Sequence, residues 1–327
     1  MFTRMSDVPE PTTGERVKRI FDTYVYAPLA VALNDWRAAI GSGIILLFIL
    51  TSTVGVMVID PPSVMDGPIF VQPFQSWKYP LGTDVMGQSI LEMVVHASPA
   101  MLTMILSGAL LSVGLGTLIG TVAGYKGGAV DSVLMTITDV VLTIPGLALV
   151  IVLAAVYDPS SPVVVGLILG IDNWPRLART VRSQVLSIRE EAFTEASRIL
   201  GLSQWHILRK DVITNLMPYI TVNFANSSRR IIFESVGLYF LGILSVTTSL
   251  NWGVMLNTAY NQGNMTDPQQ LHWILVPMAV ITLVSLGFIL FAQGLDRVFN
   301  VRLRARHAKT VGTEETSEET DDERTTA

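Results

Sequence analysis

Charged residues are unevenly spaced along this chain, and the gaps between them mark out its elements. Between Arg37 and Asp60 lie 22 uncharged residues (AAIGSGIILLFILTSTVGVMVI), and between Glu92 and Lys126 lie 33. Further gaps of 18, 17 and 28 residues separate Asp139 from Asp158, Asp211 from Arg229 and Asp267 from Asp296. A helix needs about 20 mostly apolar residues to cross roughly 30 Å of hydrocarbon. A weaker run, from Ser161 through VVVGLILGI toward Trp174, is interrupted by Asp172. The pattern predicts an all-α integral membrane protein with six spans, at about 39–59, 98–123, 132–156, 162–181, 218–241 and 273–294. The fourth and fifth are the least hydrophobic. The first begins after a long polar lead, too late for a cleavable signal peptide, and is expected to stay as an anchor.

Composition agrees with that pattern. Half of the 327 residues are hydrophobic and 15% are charged, where a soluble domain carries about 25%. With no cysteine there is no disulfide framework, thiolate metal site, iron–sulfur cluster or cysteine nucleophile. The net charge of −5 comes from the last 16 residues, which hold seven acids and one Arg. The remaining body has 21 basic and 20 acidic residues, without the basic excess that nucleic-acid binding requires. The terminal run TEETSEETDDER is like-charged, so residues 306–327 are expected to form a disordered acidic tail.

Basic residues orient the chain. Nineteen of the 22 Lys and Arg fall in the lead, the turn between spans two and three, the loop between spans four and five, or the C-terminal segment. An even number of spans puts all of these on one side, and the positive-inside bias makes that side cytoplasmic. Lys78 alone lies opposite, and Arg229 and Arg230 lie within the fifth span. The expected organisation is a cytoplasmic lead (1–38), a first anchor (39–59), an external segment (60–97), a five-span core (98–305) containing a cytoplasmic loop at 190–215, and the tail (306–327). A second external segment, about 243–272, is rich in Asn and Gln, and Asn264-Met265-Thr266 has the form of a glycosylation sequon, a triplet frequent by chance. Trp77, Tyr79 and Trp252 are candidate aromatic anchors of the external segments, either for partner proteins or for the membrane interface.

Neither covalent catalysis nor nucleotide hydrolysis is visible, and no catalytic, cofactor or metal site is expected. A P-loop needs Gly before its Lys, and the five lysines follow Val17, Trp77, Tyr125, Arg209 and Ala308. His96, His206, His272 and His307 have no metal-binding spacing. The run GLGTLIGTVAG lies in an uncharged span, where small residues more often permit close helix packing than cradle phosphate. The loop EEAFTEASRILGLSQWHILRKDVITNLMP is helical in pattern, with Glu191, Glu195 and Arg198 at three- and four-residue spacing. Gly201 is placed to stop this helix in a left-handed cap and Ser203 to cap the next. Such a pair of short helices either lies on the bilayer surface or lets a partner approach closely at the bend.

E-A-S-R-I-L-G, from Glu195 to Gly201, resembles the Glu-Ala-Ala…Gly loop of permease subunits of binding-protein-dependent ABC importers, and Asn215 and Pro218 fall where that pattern has Asn and Pro. Leu81-Gly82-Thr83-Asp84…Gly87, Ala123-Gly124-Tyr125-Lys126-Gly127-Gly128…Asp131, Asp139…Pro145, Trp174…Leu177-Ala178-Arg179, Phe240-Leu241-Gly242 and Asn251-Trp252-Gly253-Val254-Met255-Leu256 are similar, in order and spacing, to the oligopeptide/dipeptide/nickel branch. The long lead before one anchor is like its C-type subunit. The chain departs from that branch at Asp211-Val212-Ile213-Thr214, Gly87-Gln88-Ser89 and Ser228-Arg229-Arg230.

The resemblance implies the fold of a type I importer permease that transports di- or oligopeptides, nickel or oligosaccharides. It also implies pairing with a homologous permease, two cytoplasmic ATP-binding subunits and an extracytoplasmic solute-binding protein. Glu195, Ala196, Ser197, Arg198, Gly201, Asn215 and Pro218 would form the ATPase-coupling loop. Arg230 and Glu234 are four apart and positioned to pair, whereas Arg229, rotated about 100°, needs its own partner or water. These three are the candidate residues of a translocation path, because charge facing lipid costs about 2.5–3.5 kcal/mol on insertion scales. The competing readings are a single-chain secondary transporter and a membrane-anchored sensory or structural protein.

Overall fold

A computed structural model describes residues 35–244, 250–264 and 266–297. Most of the expected lead and all of the acidic tail lie outside the described residues. Among those described, every regular element is helical, and the only β-type pairing is an isolated bridge between Thr83 and Ser89.

The first helix, α1, spans Trp36–Val58 and begins where the Asp35 carboxylate accepts from the amide of Arg37. Three hydroxyl side chains near its end are satisfied within the helix. Thr51, Ser52 and Thr53 each donate their hydroxyl to the carbonyl four residues back, beside a π-helical turn at Thr51–Gly55. Helix α2, Ile90–Lys126, is 37 residues long, about 55 Å, so its ends extend beyond any hydrocarbon layer. It starts earlier than the expected second span, at a turn capped by the Ser89 hydroxyl.

The next expected span is broken. Helices α3 (Gly128–Leu142) and α4 (Gly146–Tyr157) meet at 78°. Pro145 lacks an amide hydrogen and pushes the residue before it out of helical conformation, so the break falls where the sequence places the proline. The expected fourth span is also divided, into α5 (Pro162–Gly170) and the amphipathic α6 (Trp174–Arg189), with Asp172 and Asn173 in the break. Helices α7 (Ala192–Ile199) and α8 (Gln204–Ile207) follow. A π-helical turn, Leu208–Ile213, then runs directly into α9 (Thr214–Phe240). Helices α10 (Trp252–Gln262) and α11 (Leu271–Arg297) complete the described chain.

Helices α1, α2 and α11 are long and apolar enough to cross a membrane, and the α3–α4 pair makes a fourth if its halves form one span. Neither α9 nor the α5–α6 pair meets that criterion. The expected positions 162–181 and 218–241 therefore carry helices, but not uniformly apolar ones.

Helix α2 is the axis of the molecule and packs against α5, α6 and α9. Gly108, Ser112, Gly116, Gly120 and Gly124 recur every fourth residue and form one stripe along it. A Cβ on Gly120 would lie 2.4 Å from the Ala178 carbonyl oxygen, and one on Gly108 at 2.4 Å from that of Gly166. Ser112 donates to the carbonyl of Gly170 at 2.7 Å. The expectation that the glycine run serves helix packing is met. A second small-residue contact joins α1 to α11, where a Cβ on Gly41 would strike the backbone of Phe291 and one on Gly294 would strike Ala38.

Residues 60–89 fold into a cap over one end of the bundle. Asp84 is buried, and its Oδ1 accepts from the amides of Met86 and Gln88, each at 2.8 Å. The Thr83 carbonyl lies 3.0 Å from Nε2 of His272, and Phe70 packs on Trp273 at the start of α11. Of the three aromatic anchors expected from sequence, only Trp77 is available, at 99% exposure. Trp252 is fully buried, donates to the Val94 carbonyl at 3.3 Å and packs on Phe48, while Tyr79 is 5% exposed and donates to the Asp66 carbonyl at 2.8 Å. Their polar sequence surroundings concealed two different interiors, the cap's own for Tyr79 and the helical core against α1 and α2 for Trp252.

Candidate functional site

Helix α9 is buried on one side by Ser227, Ser228, Ile231, Ile232 and Ser235. These residues face the core, and their spacing turns Asn223, Asn226, Arg229, Arg230 and Phe233 the other way. That outer face borders two adjoining clefts. The first, about 400 Å³, is lined by Asn173, Asn223, Asn226, Ser227, Arg229, Arg230, Phe233 and Glu234. The second, about 320 Å³, lies between α9 and α11, and Arg229 and Asn226 line it as well, with Gln293 and Asp296.

The two arginines differ in their surroundings. Arg230 donates through Nε to Glu234 at 2.6 Å, through Nη1 to Oδ1 of Asn173 at 3.0 Å, and through Nη2 to the carboxylate of Asp172. Asn173 in turn donates to the Ser227 hydroxyl at 3.0 Å. The α5–α6 break thus supplies two ligands to a guanidinium 57 and 58 residues away, and the expected pairing with Glu234 is also formed. Asp172 packs directly over Gly146, at the start of α4, so the same carboxylate ties three parts of the chain together. Arg229 has no salt-bridge partner among the described residues, and its buried Nε lacks a hydrogen-bond partner.

A second pair of ion contacts joins α3 to α6. Arg182 grips Asp131 through two parallel hydrogen bonds of 2.5 Å, and Arg179 pairs with Asp139. Asp131, Asp139 and Arg179 stood in separate motifs of the sequence, and nothing in their spacing announced these contacts across 40 and 51 positions.

The loop at 190–215 adopts the expected helix–bend–helix form. Gly201 ends α7 at φ +71°, with the amide of Leu202 bonded to the Ser197 carbonyl, and the Ser203 hydroxyl accepts from the amide of His206 at 3.3 Å. Glu195 is exposed and, with Arg189, Glu190 and Ile199, borders an open groove. The side chains of Ala196 and Arg198 lie outside the described residues. Ile199 and Leu200 are 81% and 76% exposed, an apolar tip on a charged loop that sequence reading passed over. Asn215 donates to the Asp211 carbonyl, and Pro218 sits in the first turns of α9, so the loop and α9 are one continuous helical rod beyond residue 204.

Residues 116–305 match the family described as "Binding-protein-dependent transport system inner membrane component". The chain is 30% identical over 300 residues to the dipeptide transport system permease protein DppC of Bacillus subtilis (strain 168), covering 89% of this chain and 92% of that one. It is 31% identical over 227 residues to the DppC protein of Lactococcus lactis subsp. cremoris, covering 69% of this chain and 64% of the other. It is 29% identical over 214 residues to the probable D,D-dipeptide transport system permease protein DdpC of Escherichia coli, covering 65% and 70%.

Proposed function

The chain belongs to the family of inner-membrane components of binding-protein-dependent transport systems, and from that premise we propose that it forms half of an ATP-driven import path for di- or oligopeptides. In this reading a homologous permease supplies the other half, two cytoplasmic ATP-binding subunits supply the energy and an extracytoplasmic binding protein delivers solute. The peptide cargo is taken from the names of the relatives.

The observation that carries the reading is the outer face of α9. A helix whose mid-section presents Asn223, Asn226, Arg229 and Arg230 to open clefts is poorly suited to lipid, because intramembrane polar groups face a protein interior or water. Counting α9 and α5–α6 as spans with one side turned to such a path gives six, with both termini cytoplasmic by the distribution of basic residues.

The 190–215 loop is the element through which ATPase motion would enter. Its apolar tip at Ile199 and Leu200 offers a surface to dock, and the unbroken helical connection to α9 carries displacement of the loop to the face bearing Arg229 and Arg230. Glu195 and Gly201 define the bend, and Ala196, Ser197 and Arg198 would meet the ATPase.

The test is twofold. Affinity purification of the tagged chain is expected to retain a second permease, two ATPases and a binding protein. A deletion strain is expected to lose uptake of a labelled dipeptide while keeping nickel and oligosaccharide uptake. Purification of the chain alone, or loss of nickel uptake only, refutes the respective part.

A further inference from the structure

The two adjacent arginines of α9 are chemically unequal. Two carboxylates and an amide oxygen surround the Arg230 guanidinium, which is thereby neutralised and fixed in place. Arg229 carries its charge with no carboxylate in salt-bridge contact among the described residues, and it lines both clefts. Beside it stand two amide side chains. Asn226 is exposed and lines both clefts with Arg229, and Asn223, whose Nδ2 is already given to the Tyr219 carbonyl, borders the first. The carboxylates bordering or nearest the first cleft, Glu234 and Asp172, are both engaged by Arg230. A guanidinium fork beside a neutral amide donor is a fitting receptor for a planar carboxylate, which it can hold bidentately.

We propose that Arg229, assisted by Asn226, binds the carboxylate of the permeating solute in the first cleft, and that Arg230 is a positioning residue which never touches it. The proposal rests on the translocation path described above. It adds a substrate class, solutes bearing a free carboxylate, and a division of labour between the two arginines.

The test uses the complete importer in liposomes, with its binding protein saturated in turn by L-alanyl-L-alanine and by the amide of the same dipeptide. For the intact complex the maximal uptake rate of the free acid is expected to exceed that of the amide. Arg229→Gln is expected to reduce free-acid uptake roughly 10-fold or more, the scale on which one charge-assisted contact acts, and to reduce amide uptake far less. Arg229→Lys is expected to restore part of the free-acid rate. An equal fall for both probes, or no fall for either, overturns the assignment. Failure of both Arg229 variants to co-purify with the partner permease also overturns it, since Arg229 then serves packing. Uptake of neither probe by the intact complex refutes the peptide reading itself, and the proposal falls with it.

Discussion

Gly201 holds φ +71° with open space around the position a side chain would fill, so crowding is not what requires glycine there. The requirement is conformational, because a β-branched residue in the left-handed region costs on the order of 1–2 kcal/mol and would redirect the chain between α7 and α8. Gly201→Val is therefore expected to leave the membrane helices intact and to uncouple ATP hydrolysis from uptake. The measurement is solute-stimulated hydrolysis set against transport in the reconstituted complex, and wild-type values for both would refute a coupling role. Asp84 is a residue of another kind. Burial pushes its carboxyl above the ordinary carboxylate range, despite two amides that favour the charged form. A raised folded-state pKa means that ionisation opposes folding, so the wild-type cap gains stability as pH falls. Asp84→Asn keeps the acceptor without the charge. It is expected to melt no lower than wild type at pH 7, and the difference should shift in favour of wild type as pH drops through the carboxylate range.

At the scale of elements, the α2 stripe separates glycines that are structural from those that are not. Gly120 meets backbone atoms of α6, which have nowhere to go, whereas Gly114 faces empty space on the same helix. Gly120→Leu is expected to drive α2 from α6 and abolish recovery of monodisperse protein in size-exclusion chromatography. Gly114→Ala is expected to be tolerated and even gain up to about 1 kcal/mol from helix propensity. Much at this scale was legible in the sequence. The uninterrupted apolar runs became α1, α2 and α11, and Gly201 and Ser203 marked the bend, whereas the break at Pro145 fell inside a span expected to be continuous. Asp172 was visible as an interruption, but its meaning was not, because its partner Arg230 lies 58 positions on and only the folded chain brings them together. The same holds for Arg182 and Asp131. Tyr79 misled because a polar local sequence can still fold over its own aromatic residue, and Trp252 because the core that covers it lies on α1 and α2, far away in the chain.

For the whole molecule, the absence of cysteine is an experimental advantage. Single cysteines can be placed on an otherwise unreactive background to fix the orientation proposed above. With Trp77→Cys and Leu200→Cys, both at exposed positions, a membrane-impermeant maleimide added to intact cells is expected to label the first and not the second, and inverted vesicles should give the reverse. Labelling of both from one side would refute the six-span arrangement, and labelling of each from the wrong side would invert it.

The salt bridge between Asp172 and Arg230 also bears on how such a chain enters a bilayer. In the six-span arrangement proposed above, each residue alone would add about 2.5–3.5 kcal/mol to the cost of partitioning its segment from the insertion channel into lipid, and neither α5–α6 nor α9 has apolar sequence to spare for it. Joined, and with Glu234 on the same guanidinium, they no longer present an isolated charge. The segment synthesised first would then wait at the protein-lined exit until α9 emerges to receive it. In that arrangement the two halves of the bridge would leave the channel as a unit, and the order of synthesis would not be the order of release.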